Sequence, residues 1–126
     1  MITRELTLGE LRLGGGNPLF LIAGPCVIES ETHACKMAEA VSKITSDAQV
    51  PYIFKASYDK ANRTSAAGFR GPGLERGAAI LRGIAESTGL PVITDVHQAS
   101  DCERVAEAVD KAAIGIHHRS DLGTGR

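Results

Sequence analysis

Residues 51–65 read P-Y-I-F-K-A-S-Y-D-K-A-N-R-T-S. Four mostly apolar residues give way at Lys55 to two lysines, an asparagine and an arginine set among hydroxyls. A short apolar run opened by proline and rich in β-branched and aromatic residues fits a buried strand, Pro51 to Phe54. A strand that ends in cations, with a long polar loop behind it, places chemistry at its carboxyl end. The fold follows from asking whether neighbouring segments repeat that arrangement.

They do. On the amino side, Leu19 to Ala23 is another apolar run, closed by Gly24-Pro25 and followed by Cys26, and it reads as a buried strand. From Ser30 the spacing becomes helical, with Ala34, Met37, Ala38, Val41 and Ile44 on one face. On the carboxyl side, Pro72 suits a first helical position, and Leu74, Ala78, Leu81 and Ala85 continue one face up to Gly89. Val92-Ile93 opens a third strand that ends at Asp95-Val96-His97. Ser100 with Glu103 has the form of a capping box, leading a third helix with Cys102, Val105, Ala106 and Val109 inward. Ahead of everything, Leu6, Leu8, Leu11 and Leu13 flank Gly9-Glu10 as in a small hairpin with one buried face, and Gly14 to Pro18 breaks the chain.

A hairpin followed by three strand–helix units implies an α/β fold, a parallel sheet with helices packed outside it. Each polar cluster follows a strand, on the edge where open α/β sheets and (β/α)8 barrels alike build their sites. The 126 residues suffice for one domain, and an apolar fraction of 43% with 23% charged residues excludes a disordered chain. A net charge of −1 without a long basic run speaks against nucleic-acid or anionic-membrane binding. No apolar stretch is long enough to span a bilayer, and the first residues lack the apolar core of a signal peptide. Cys26, Cys35 and Cys102 are odd in number and irregularly spaced, which implies reduced thiols and a cytoplasmic setting.

Lys55, Lys60 and Arg63, among Ser57, Asn62, Thr64 and Ser65, are the groups that bind phosphate or carboxylate when they converge. Convergence matters, because one exposed ion pair is worth at most about 1 kcal/mol. Gly71-Pro72-Gly73 reads as a tight turn that starts a helix, with amides that can also face an anion. A lone cysteine such as Cys26 ordinarily behaves as a small hydrophobe, and no C-x-x-C or H-E-x-x-H accompanies it. Cys35 and Cys102 belong on apolar helix faces and His33 on a helix surface. Asp95 can bind sugar hydroxyls, orient a lysine or cap a helix.

Four segments together are recognisable: F-L-I-A-G-P-C-V-I-E-S, F-K-A-S-Y-D-K-A-N-R-T-S, F-R-G-P-G-L-E and I-T-D-V-H. In order and spacing, from about residue 5 to residue 110, the chain resembles the 3-deoxy-D-manno-octulosonate-8-phosphate synthases. The related 3-deoxy-D-arabino-heptulosonate-7-phosphate synthases typically carry K-P-R-T-S where this chain reads K-A-N-R-T-S.

The resemblance implies the amino-terminal part, a hairpin plus about three βα units, of a TIM (β/α)8 barrel. That barrel condenses phosphoenolpyruvate with arabinose 5-phosphate and releases phosphate, on the way to the Kdo sugar of Gram-negative lipopolysaccharide. It also implies a homo-oligomer, a tetramer. By the same resemblance Lys55 and Lys60 hold phosphoenolpyruvate at its carboxylate, helped by Ser57. Asn62, Arg63 and Thr64 receive the sugar phosphate, and Asp95 is an acid near the pentose. Cys26 matches the cysteine ligand of the metal-dependent class, which uses a divalent metal. The rival readings are a fragment of a heptulosonate-7-phosphate synthase and a non-catalytic anion-binding module.

The resemblance stops near Asp110. A fourth buried strand followed by a Gln-Thr element is due, whereas residues 111–126 read K-A-A-I-G-I-H-H-R-S-D-L-G-T-G-R, with neither a buried strand nor a helix face. We therefore divide the chain into a truncated synthase domain, 1–110, and an aberrant tail, 111–126, translated out of frame. Read one base later, permissible codons for residues 112–125 can encode Leu-Gln-Ser-Ala-Phe-Ile-Ile-Gly-Gln-Thr and onward. His117 and His118 are then accidental and not metal ligands. With three units instead of eight, the third strand is left as an open edge, and the chain is expected to be inactive and poorly folded alone.

Overall fold

A computed structural model describes residues 4–60, 69–108 and 113–117. Elements occur in the order β1 (Leu6–Leu8), β2 (Leu11–Leu13), β3 (Leu21–Ala23), α1 (Glu31–Asp47), β4 (Tyr52–Lys55), α2 (Leu74–Thr88), β5 (Val92–Val96), α3 (Ala99–Ala108) and β6 (Ala113–His117). The first two strands form an antiparallel hairpin in which Leu8 faces Leu11 across Gly9-Glu10, and Gly9 has φ 60°. The other four form one parallel sheet in the order β3-β4-β5-β6. The expected α/β fold with a parallel sheet is what forms. No described helix is long and apolar enough to cross a membrane.

Strand side chains alternate between two cores. Tyr52 and Phe54 of β4, with Val92 and Val96 of β5, meet the helices through Ala34, Ala38, Ala78, Leu81, Ile84 and Val105. Ile53 and Ile93 point the other way, where Leu8 and Leu13 of the hairpin cover them. The hairpin therefore closes the opposite face of the sheet. Of its four leucines only Leu8 and Leu13 are buried, and Leu6 is exposed.

Several local expectations change. β3 is not buried: Leu21 is 38% and Ile22 45% exposed, and Leu19 lies outside the strand at 89%. The cause is position, because β3 is an outer strand of the described sheet. Helix α2 starts at Leu74 with Gly73 as its N-cap, so Pro72 precedes the helix. Helix α3 starts at Ala99, so Ser100 lies inside the first turn and makes no capping box. Only Val105 of its proposed stripe is buried; Cys102 and Ala106 are exposed, and Val109 lies outside the described residues.

The largest correction is at the tail. Residues 113–117 do form a strand, paired in parallel with β5 from Val92↔Ala113 to Val96↔His117. β5 is therefore not an open edge. Parallel pairing is made by backbone groups and imposes little on sequence, and A-I-G-I-H supplies two β-branched residues. His118 lies outside the described residues.

Helix α2 carries two glycines with opposite consequences. A Cβ on Gly77 would come within 2.3 Å of the Tyr58 Cβ, whereas Gly83 meets nothing within 4 Å. Gly77→Ala is expected to destabilise the chain by about 1–3 kcal/mol through overpacking. Gly83→Ala should stabilise it by about 0.5–1 kcal/mol through helix propensity. Urea unfolding of a complete barrel that carries residues 1–110, followed by helical circular dichroism, checks both; equal shifts of the two midpoints would refute the packing described for α2.

Candidate functional site

The carboxyl ends of β3, β4 and β5 converge. A Cβ on Gly24 would sit 1.9 Å from the Lys55 carbonyl oxygen, so only glycine lets β3 end this close to β4. Beyond Gly24-Pro25 the two segments pair again through a parallel bridge between Val27 and Ser57. The Ile28 amide donates to the Ser57 carbonyl (3.0 Å) and the Ser57 amide to the Cys26 carbonyl (3.3 Å). Ser57 is thus fixed by backbone at the end of β4, and Cys26 stands beside it with an exposed side chain.

Ser57 joins two charges. Its hydroxyl, fully buried, donates to Asp95 Oδ1 at 2.5 Å and accepts from Lys60 Nζ at 2.7 Å. Burial alone would raise the Asp95 pKa. The Ser57 hydroxyl, the backbone N–H of Asp95 and the Coulombic pull of Lys60 and His97 outweigh it, and the carboxyl titrates below its ordinary range. His97 and Asp95 are 14% and 13% exposed, with Nε2 3.6 Å from Asp95 Oδ2. The same Nε2 lies 2.5 Å from the Asp59 carbonyl, which can only accept, so Nε2 carries a proton.

Lys55, half-buried, ends β4 on the face that carries Ile53, the face opposite the helices. No hydrogen bond or ion pair to another described residue engages its ammonium group. Of the sequence-derived site residues, the structure brings Lys60, Ser57 and Asp95 into direct contact. Lys55 lies on the same strand end and Cys26 at the neighbouring one. Asn62, Arg63 and Thr64 lie outside the described residues.

Sequence reasoning missed what holds this loop. Tyr58 is buried; its ring meets His97 edge-on at 5.7 Å and its hydroxyl donates to Asp101 Oδ2 at 3.1 Å. Burial and the Asp101 carboxylate push its phenol well above the ordinary tyrosine range. The Lys60 amide donates to the Arg70 carbonyl (2.7 Å), the Gly73 amide to the Tyr58 carbonyl (3.0 Å), and Arg70 grips Asp59 through two contacts of 3.2 Å. Gly71, at φ 117°, leaves no room for a Cβ, which would lie 2.4 Å from the Tyr58 carbonyl oxygen. Of the two uses foreseen for Gly71-Pro72-Gly73, the turn is the one observed: the Gly73 amide serves the loop. The one available signal was the run of glycines at 71, 73 and 77, whose common neighbour, Tyr58, has no sequence mark.

Among the described residues no three His, Cys, Asp or Glu side chains converge as a metal site needs. Cys26 is a single potential ligand.

The family model for the DAHP synthetase I family matches residues 3–120. Among curated relatives, the 2-dehydro-3-deoxyphosphooctonate aldolase of Koribacter versatilis is 58% identical over 100 residues, 79% of this chain and 36% of its own length. The protein of the same name from Geobacter metallireducens is 52% identical over 109 residues, 86% of this chain and 40% of its own. That of Citrifermentans bemidjiense is 50% identical over 113 residues, 90% of this chain and 41% of its own. The chain spans about 40% of the length of the curated relatives it matches. With the family match running over nearly its whole length, the chain belongs to the DAHP synthetase I family.

Proposed function

We propose that this chain is the amino-terminal part of a (β/α)8 3-deoxy-D-manno-octulosonate-8-phosphate synthase. The enzyme joins phosphoenolpyruvate to arabinose 5-phosphate and releases phosphate. The observation that carries the reading is the cationic strand end: Lys60 held on Ser57 and Asp95, with Lys55 beside it. The relatives' shared name supports the octulosonate product over the heptulosonate one.

Two anionic substrates repel, so they must be held close by fixed cations, an effect worth roughly 7–11 kcal/mol in such reactions. Lys55 and Lys60 take the phosphoenolpyruvate carboxylate, and Asn62, Arg63 and Thr64 the phosphate of the pentose. The enol carbon attacks the pentose aldehyde, whose oxygen takes up a proton. Water adds at the neighbouring cationic carbon, and phosphate leaves from the resulting hemiketal. Asp95, kept ionised, holds Lys60 through Ser57 beside the pentose.

The described residues do not make a metal site, and no step here runs through a metal. Cys26 is assigned as a ligand of a divalent ion whose other ligands lie beyond the described residues. The cytoplasm and a tetrameric assembly complete the reading. Residues 111–126 are assigned to an out-of-frame tail. Sequencing the locus checks this, and an uninterrupted frame with no homologous sequence in another frame would overturn it.

In a phosphate-release assay with both substrates, the 126-residue chain is expected to show no turnover. A graft of residues 1–110 onto the remaining part of the Geobacter metallireducens relative should turn over arabinose 5-phosphate and not erythrose 4-phosphate. Lys60→Ala in that graft should lower kcat/KM by about two to three orders of magnitude. Turnover by the isolated chain, or an unaffected Lys60→Ala graft, would refute the assignment.

Acid should act through Asp95. Its folded pKa lies below the unfolded value of about 3.9, so the stability it contributes is complete above that pH and is lost as pH falls through the folded value. The graft's urea midpoint should therefore fall as the pH drops below about 4. Asp95→Asn should be less stable at neutral pH and flatter across that window. A parallel acid dependence in both proteins would show that Asp95 is not the group responsible.

A further inference from the structure

We propose that the chain carries a second binding site, at the amino-terminal end of the sheet, for a small organic cation with an apolar body. A cavity of about 450 Å³ lies there, between the tip of the hairpin, the start of β4 and the turn from α2 into β5. Its size is that of ordinary small-molecule pockets. Lys55, Lys60 and Asp95 belong to the other end of the sheet, and none of them lines it. The proposal is independent of the function read from that end.

The space follows from the local sequence. The hairpin turns through Gly9-Glu10, and Leu8 is held against Ile53 and Ile93, which sets the tip against the strand starts. Helix α2 approaches through Ala85 and stops at Gly89, whose φ of 72° turns the chain toward Leu90-Pro91. One methyl group and no side chain leave a gap that larger residues would fill. β4 and β5 are the inner strands of the described sheet and α2 connects them. The cavity therefore belongs to the middle of the sheet and to neither edge.

Its chemistry has two parts. Leu8, Leu11, Leu90 and Pro91 give it apolar walls. Tyr52 lines it as well, with a hydroxyl already committed to the Ala23 carbonyl at 2.9 Å. Charge there has a single sign: Glu10 is the one ionised side chain of the lining, and no described residue pairs with its carboxylate. Helix α2 brings its carboxyl end, the negative pole of its dipole, to the same place, with no basic residue in its last turn. Both repel a carboxylate or phosphate and attract an ammonium group. An apolar body on that ammonium group removes the leucines from water.

Methyl NMR of the barrel graft tests this, with 2-phenylethylammonium as the probe and 3-phenylpropionate and 2-phenylethanol as its anionic and neutral counterparts. The amine is expected to shift the Leu8, Leu11 and Leu90 methyl signals saturably and to bind about tenfold more tightly than the acid. Glu10→Gln, at an exposed turn, should reduce that preference to about threefold, the part left to the helix, and Glu10→Lys should reverse it. Ala85→Leu fills the cavity and should abolish binding of all three compounds. If that variant does not fold, the two Glu10 variants decide alone. Unshifted leucines, equal affinity for amine and acid, or a preference that neither Glu10 variant changes would overturn the proposal.

Discussion

The arrangement depends on one hydroxyl that connects three strand ends. Ser57 belongs to the end of β4, is bridged by backbone to the segment after β3, and reaches Asp95 near the end of β5. Parallel strands diverge once their ladder ends, and the side chains beyond them ordinarily sit on loops with freedom to move. Here a hydrogen bond to an ionised acceptor, stronger than a neutral one, continues the connection past the ladder. Because Lys60 is attached to the same oxygen, the order of the sheet passes to the ammonium head of a long side chain. Fixed charge is what a site for an anion needs.

The support for this hydroxyl is indirect and lies behind it. Tyr58 turns inward as Ser57 turns toward Asp95, and its ring, hydroxyl and carbonyl each meet a different element: His97, Asp101 of α3 and Gly73 before α2. The glycines at 71 and 77 are the space that this tyrosine occupies. Helices α2 and α3 thereby bear on the site, although the hydrogen-bond partners of Lys60 among the described residues, Ser57 and Arg70, lie outside both. A side chain larger than hydrogen at either glycine would move Tyr58 first and Ser57 next.

How much of this was legible follows from what each signal measures. Apolar runs and helical spacing report burial, so the order of strands and helices could be read, as could the placing of Lys55, Lys60 and Asp95 on one edge. Burial at an edge depends on neighbours, which is why Leu19 to Ala23 looked like a core strand while Leu21 and Ile22 stand open. The Ser100–Glu103 pattern matched a capping box, yet α3 begins at Ala99 and its first turn is tied to Tyr58 by Asp101. Nothing in K-A-S-Y-D-K says that the serine, and not the tyrosine, carries the lysine. That depends on the alternation of side chains past the last ladder bond and on a carboxylate 38 positions away.

The tail shows the limit of the opposite kind. A-I-G-I-H lacks the apolar run expected of a fourth core strand, but it pairs with β5 along five positions. An unpaired parallel edge exposes a row of amide and carbonyl groups that any extended segment of sufficient length can satisfy. Strand formation at that edge answers to backbone hydrogen bonding before side-chain pattern. It reflects the demand of β5 for a partner as much as the sequence that meets it. What a core strand of a parallel sheet adds is side-chain burial on both faces.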